Sequence, residues 1–197
     1  FSAQVKAASN SFYKYNPSST SDYLSNTFES SIAYQTTLFG GKSNLSLNLG
    51  SRQNVSTKEL QLWLPQINFS VNTFYPFRKK NKPGALKWYD NINVSYSLNA
   101  QNYINTYDSL VLTPKIFDIM QNGIQHSLQI RNPVKILKYI SWNNSFNFTE
   151  RWYFQSTRQQ WFNDTDTSFI RKDTIRRFQM AHEFNVASQL STKIYGI

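Results

Sequence analysis

Cysteine is absent from this chain. That excludes a disulfide scaffold and a thiolate metal site, and it leaves the compartment open. Long apolar runs are absent too. No stretch reaches the ~18 residues that a membrane-spanning helix needs. Histidine occurs twice, at His126 and His182, which is too few ligands for a metal site. Acidic residues are scarce: 11 Asp and Glu stand against 21 Lys and Arg, a net charge of +10. Such an excess points to an anionic partner, whether a membrane surface, an anionic lipid or nucleic acid. A starting Met and a signal peptide are also missing, so the sequence reads as an excerpt of a processed or longer protein.

What fills the chain instead is a dyad. Ile92, Val94, Tyr96, Leu98 and Ala100 alternate with Asn91, Asn93, Ser95, Ser97 and Asn99. Leu45, Leu47 and Leu49 alternate with Asn44, Ser46 and Asn48. Phe178, Met180, Phe184 and Val186 share one phase near the C-terminus, opposite Glu183 and Asn185. Strand side chains point to opposite faces with period two, so the pattern predicts sheet with an apolar face and an amide-hydroxyl face. Mean hydropathy is low, at −0.54, yet 16% of residues are aromatic. A soluble sandwich would normally show Lys, Glu and Thr on its wet face. Here that face is mostly Asn, Ser, Gln and Thr, as in a barrel with lipid outside and a polar interior.

The fold class expected is therefore all-β, an antiparallel transmembrane β-barrel, with about eight strands of a larger barrel in this chain. The strands are expected near residues 1–11, 25–39, 42–54, 58–75, 87–103, 122–132, 139–156 and 174–195. Residues 1–197 then belong to a single barrel domain, without a separate soluble domain. Long polar connections are expected at 12–24, 104–121 and 157–173. Shorter ones lie at Gly40-Gly41, 76–86 and Asn132-Pro133-Val134-Lys135. The 54–57 connection is short but falls by parity on the long-loop side. Long loops on one rim and short turns on the other is the outer-membrane pattern.

Aromatics gather beside charge. Phe74, Tyr75 and Phe77 precede Arg78, Lys79, Lys80 and Lys82, and Trp88 and Tyr89 follow Lys87. Tyr139 and Trp142 follow Lys135 and Lys138. These are read as an interfacial girdle and basic turn; the alternative is the core of a soluble protein. The polar phase carries Arg52, Arg131, Arg151, Arg177 and Lys193 against Glu29 and Glu183, so the expected lumen leans positive. Those cations could attract anionic headgroups or merely balance carboxylates of the lumen or a plug. Pro65 separates Leu60, Leu62 and Leu64 from Ile67, Phe69 and Val71, which run in the opposite phase; this reads as a strand bulge.

No catalytic site or cofactor is expected. Both histidines fall in the apolar phase and read as wall residues. Asp164 and Asp166 are more simply solvated loop residues than a cation site. Asn-x-Ser/Thr sequons recur, but those at Asn44, Asn68, Asn93 and Asn147 lie within expected strands, unsuited to a surface acceptor. The Arg78–Lys82 run lacks a groove-fitting element, so nucleic acid is not an expected partner.

Several segments resemble one family. They are Ser43-Asn44-Leu45-Ser46-Leu47-Asn48, Leu64-Pro65-Gln66-Ile67-Asn68-Phe69-Ser70, Tyr75-Pro76-Phe77-Arg78-Lys79, Lys87-Trp88-Tyr89 and Leu190-Ser191-Thr192-Lys193-Ile194-Tyr195-Gly196. Together they resemble the barrel of LptD, the lipopolysaccharide-assembly outer-membrane protein, in its Bacteroidota-type version. The resemblance implies a large antiparallel barrel in the outer membrane of a Gram-negative bacterium. Such a barrel inserts lipopolysaccharide, or a related anionic glycolipid, into the outer leaflet. It further implies an LptE-type plug lipoprotein and a periplasmic bridge protein as partners, and lateral opening between the first and last strands. The family's cysteine pairs and periplasmic jellyroll have no counterpart here, so disulfide-controlled assembly does not carry over. The alternatives are a TonB-dependent nutrient transporter, a complete small barrel acting as an adhesin or membrane-bound enzyme, and a soluble carbohydrate-binding sandwich.

Overall fold

A computed structural model describes residues 1–5, 27–79, 86–136, 139–163 and 168–192. The dyad becomes strand wherever it runs unbroken. The elements are β1 (Ser2–Gln4), β2 (Thr27–Leu38), β3 (Ser43–Asn54), β4 (Glu59–Phe74), β5 (Asn93–Tyr107), β6 (Gln121–Ile136), β7 (Ile140–Tyr153), β8 (Ser156–Asn163), β9 (Ser168–Ile175) and β10 (Gln179–Thr192). Eight of them form one antiparallel sheet in the order β1-β2-β3-β4-β5-β6-β7-β10. Among the described residues β8 and β9 pair only with each other. Among the described residues β1 and β10 do not pair, so the sheet is open.

The β2–β3 hairpin turns through Phe39, Gly40 and Gly41, all at positive φ (54°, 65° and 82°). Glycine takes that region without steric cost, which is why two of them stand at the tip. At the other end of β3, the Asn54 side chain accepts from the Ser56 and Thr57 N–H groups at 3.0 and 3.2 Å. This Asx-type turn replaces the ladder bonds lost at the reversal.

Pro65 does sit in a bulge. Trp63 pairs with Gly50 and Gln66 with Asn48, so Leu64 and Pro65 together oppose Leu49. On the other side the same two residues oppose Asn102. Two residues against one reverse the phase of β4, and this keeps Leu62 and Ile67 on the same face despite their odd separation.

Four expected boundaries are corrected. The strand expected at 87–103 begins at Asn93, because Trp88–Asn91 form a 3-10 turn, and it runs on to Tyr107, into the connection expected at 104–121. The 157–173 loop contains the β8–β9 hairpin instead. Its adjacent Trp161 and Phe162 break the dyad, but they pair with Ile170 and Phe169, and the Phe162 and Phe169 rings stack at 5.8 Å. The last wall strand starts at Gln179 rather than 174, because Thr174 and Ile175 belong to β9. Asn132–Lys135 is strand, not connection: β6 continues to Ile136 alongside β7. β5 pairs with β6 no further than Arg131, so Pro133 lies on a local edge where a missing donor is tolerated.

Reversals alternate between two rims. Among the described residues, one holds 39–42, 75–79, 86–92 and Tyr139. The other holds residues 55–58, 108–120 and 154–178. The second rim is tied together by Asp108 N–H donating to Lys58 O (3.1 Å) and by an Arg176–Asp118 ion pair at 2.6 Å. Its small core is Phe28, Val55, Leu62 and Ile104, the buried hydrophobic residues among those described. Elsewhere the apolar face has no layer over it among the described residues.

Candidate functional site

Register turns the two phases into two surfaces. Directly opposite residues share a face. Gln35, Ser46, Asn68, Asn99, Gln125 and Arg151 form one continuous row across β2 to β7. Thr37, Asn44, Ser70, Ser97, Ser127, Thr149 and Glu183 form the next, reaching β10. Neutral side chains bond across strands here: Gln129 donates to Asn147 at 2.7 Å and Asn68 to Ser46 at 3.3 Å. The surface is a carpet of amides and hydroxyls that offers both donors and acceptors. It suits water, sugar hydroxyls or the polar surface of a protein.

The basic residues of this face differ in availability. Arg52 donates to Glu29 at 2.6 Å across β2–β3. Arg151 meets Glu183 diagonally across β7–β10 at 2.9 Å. Arg131 is exposed on the same face, between Asn93 and Ser145, with no carboxylate partner among the described residues. Arg177 lies in the link between β9 and β10 rather than in a strand. Lys193 lies outside the described residues. The positive lean of this face is therefore smaller than a count of arginines suggests.

The opposite face carries apolar rows. Leu47, Ile67, Ala100, Ile124, Trp152 and Met180 form one; Val71, Tyr96, Leu128, Phe148 and Phe184 form another. Phe184 is 73% exposed and Val186 71%. A row between these two breaks the pattern: Leu45, Phe69 and Leu98 continue into His126, Glu150 and His182. The phase of each residue was legible in the sequence, but not that the three are neighbours. They are satisfied only in part: His126 Nε2 is buried without a hydrogen-bond partner among the described residues. Tyr96 Oη and His126 Nδ1 are 2.7 Å apart, Trp152 Nε1 donates to Glu150 Oε1 at 2.9 Å, and His182 Nδ1 lies 3.7 Å from the same oxygen. No group of metal ligands is formed among the described residues.

At the 75–92 rim the expected girdle residues come together. Phe74, Tyr75, Phe77 and Trp88 are exposed. The Arg78 guanidinium lies 3.8 Å from the centre of the Tyr75 ring. Its Nε donates to Asp90 O at 3.2 Å and its Nη2 to Asn91 Oδ1 at 3.4 Å. A 3-10 turn, Trp88–Asn91, packs beside β6 and brings Trp88 edge-on to Tyr89 at 5.7 Å. Lys79 and Lys87 are exposed; Lys80 and Lys82 lie outside the described residues. Tyr139 and Trp142 belong to the same rim, and Tyr153, Phe154 and Phe178 gather at the other. From Trp142 to Trp152 an extended strand rises ~34 Å, or ~26 Å across a bilayer at ~40° tilt. That matches the ~25 Å apolar band of outer-membrane barrels.

No curated protein and no solved structure matches the chain. The family model described as LptD protein matches residues 1–197. The chain therefore belongs to the LptD family, whose role is lipopolysaccharide transport and assembly.

Proposed function

We propose that this sheet is part of the wall of an outer-membrane barrel that inserts lipopolysaccharide into the outer leaflet. The observation that carries the reading is the pairing of two faces with opposite solvents. One is a continuous amide and hydroxyl surface. The other is a set of apolar rows that no second layer covers among the described residues. In water such rows would drive aggregation; against lipid tails they need no cover. The open sheet needs further strands to complete it, because hydrocarbon does not tolerate unpaired edges. The polar face then lines a lumen suited to an LptE-type plug lipoprotein. The 75–92 rim faces the periplasm and the bridge protein that delivers lipid. Arg131, with no carboxylate opposite it, is the residue of this face best placed to meet an anionic headgroup. The family match and the polar face together favour this reading over a nutrient transporter, an adhesin or a soluble sandwich.

The test places a photo-crosslinking amino acid in the full-length protein in cells. At Asn99 it should capture the plug lipoprotein or lipopolysaccharide. At Leu98 it should capture no plug protein and should react with membrane lipid. Equal capture of protein at both positions would overturn the facing assignment, and capture of soluble sugars alone would overturn the translocon.

A further inference from the structure

The connection between β4 and β5 holds one acid among its cations. Residues 75–92 include Arg78, Lys79, Lys80, Lys82 and Lys87, with Asp90 as the sole carboxylate. The structure takes that carboxylate off the surface. Asp90 is 1% exposed, and its Oδ2 accepts the Lys87 N–H at 2.8 Å. The acid is used to fold the 3-10 turn, and the exposed charge of this rim is left cationic. The guanidinium of Arg78 is positioned by Tyr75, Asp90 and Asn91, so its ordering is completed on folding rather than on binding. Lys79 and Lys87 stand exposed on either side, and Phe77 and Trp88 are 55% and 62% exposed. Exposed rings next to fixed cations at a strand end match the depth of a bilayer's headgroup layer. The rings suit the acyl boundary and the cations suit phosphate.

We propose that this rim binds the anionic headgroups of phosphoglycerides in the adjoining leaflet, with Arg78, Lys79 and Lys87 as the phosphate contacts. The proposal rests on the reading that the sheet spans the outer membrane. A guanidinium fork with unused donors and two flexible ammonium groups can meet a phosphodiester without further rearrangement of the backbone. The consequence is a fixed seat for the periplasmic rim against its leaflet, and a local enrichment of acidic lipid beside the β4–β5 connection.

The experiment uses the full-length protein with its plug, reconstituted in phosphatidylcholine nanodiscs. Small fractions of phosphatidylglycerol or phosphatidylcholine with brominated chains are added, and the Trp88 contribution to quenching is obtained by difference from Trp88→Phe. Brominated phosphatidylglycerol should quench Trp88 at a roughly fivefold lower mole fraction than brominated phosphatidylcholine. The preference should disappear in Lys79→Gln/Lys87→Gln and in high salt. Equal quenching by the two lipids overturns the proposal. So does quenching that appears only once partner proteins are stripped away, because a protein then covers the rim. If Trp142 and Trp152 are quenched and Trp88 is not, the headgroup seat fails and the membrane wall stands. If none of the three is quenched, the membrane reading itself fails.

Discussion

Trp63 lies against Gly50 across β3 and β4, so closely that a Cβ on the glycine would fall 3.2 Å from Trp63 Cε3. The contact sits beside the Pro65 bulge, where the register of the two strands shifts between Asn48 and Gly50. A bulge bends its strand and brings a side chain over the partner's backbone. Gly50→Ala needs only a small shift of the indole and gains from a stiffer unfolded chain, so it should change stability by less than about 1 kcal/mol. Gly50→Leu should cost about 1–3 kcal/mol by overpacking. Urea unfolding of the detergent-solubilised full-length protein reads the difference; equal midpoints for Ala and Leu would show that Trp63 does not hold this position.

Asn102 closes the same bulge from the other side. Its Nδ2 donates to Leu64 O at 2.7 Å, a carbonyl that the two-against-one geometry removes from the regular ladder. Asn102→Leu should cost about 1–3 kcal/mol, because the carbonyl loses its partner. Asn102→Gln should fall between the two. The same unfolding measurement checks the order, and a neutral Asn102→Leu would mean that the carbonyl finds another donor.

Facing is tested at two adjacent residues of β7. Phe148 lies in an apolar row between Leu128 and Phe184, and Asn147 lies in the polar phase opposite Gln129. Phe148→Arg should lose about 2–4 kcal/mol and impair assembly into the outer membrane. Asn147→Arg should assemble normally. The readout is heat-modifiable mobility of the folded protein from isolated membranes. Similar losses at both positions would contradict the two-solvent reading.

The row His126, Glu150 and His182 makes a third contrast. Glu150→Leu removes the acceptor of Trp152 Nε1 and the neighbour of His182, and should destabilise. Replacing the row together, as His126→Phe, Glu150→Leu and His182→Phe, should recover part of that loss, since the histidines no longer carry a desolvation cost while Trp152 Nε1 and Tyr96 Oη stay without their partners. Thermal unfolding in detergent compares the two. A triple variant no more stable than Glu150→Leu would mean that the row serves something other than the wall itself.

Much of the fold is legible in the sequence. The dyad named the face of Leu47 and Asn48, of Phe148 and Asn147, because a strand has only two sides. The phase change around Pro65 announced the bulge for the same reason. Loop parity puts the 54–57 and 104–121 connections on one rim, where the structure has residues 55–58 and 108–120. The β8–β9 hairpin was hidden because Trp161-Phe162 and Arg171-Lys172 do not alternate. The full length of β6 is not legible because Pro133 reads as a breaker, and only the pairing shows that β5 no longer flanks it.

The sequence by itself determined which way each strand residue points, and hence that this protein has two surfaces for two solvents. Only the tertiary structure decided who stands opposite whom. Face repeats every two residues, so a slip of one dyad preserves every facing and changes every partner. Turns and bulges choose among those registers. Their choice placed Arg52 beside Glu29, left Arg131 without a carboxylate among the described residues, set Glu150 between two histidines, and folded Asp90 inward beneath a cationic rim.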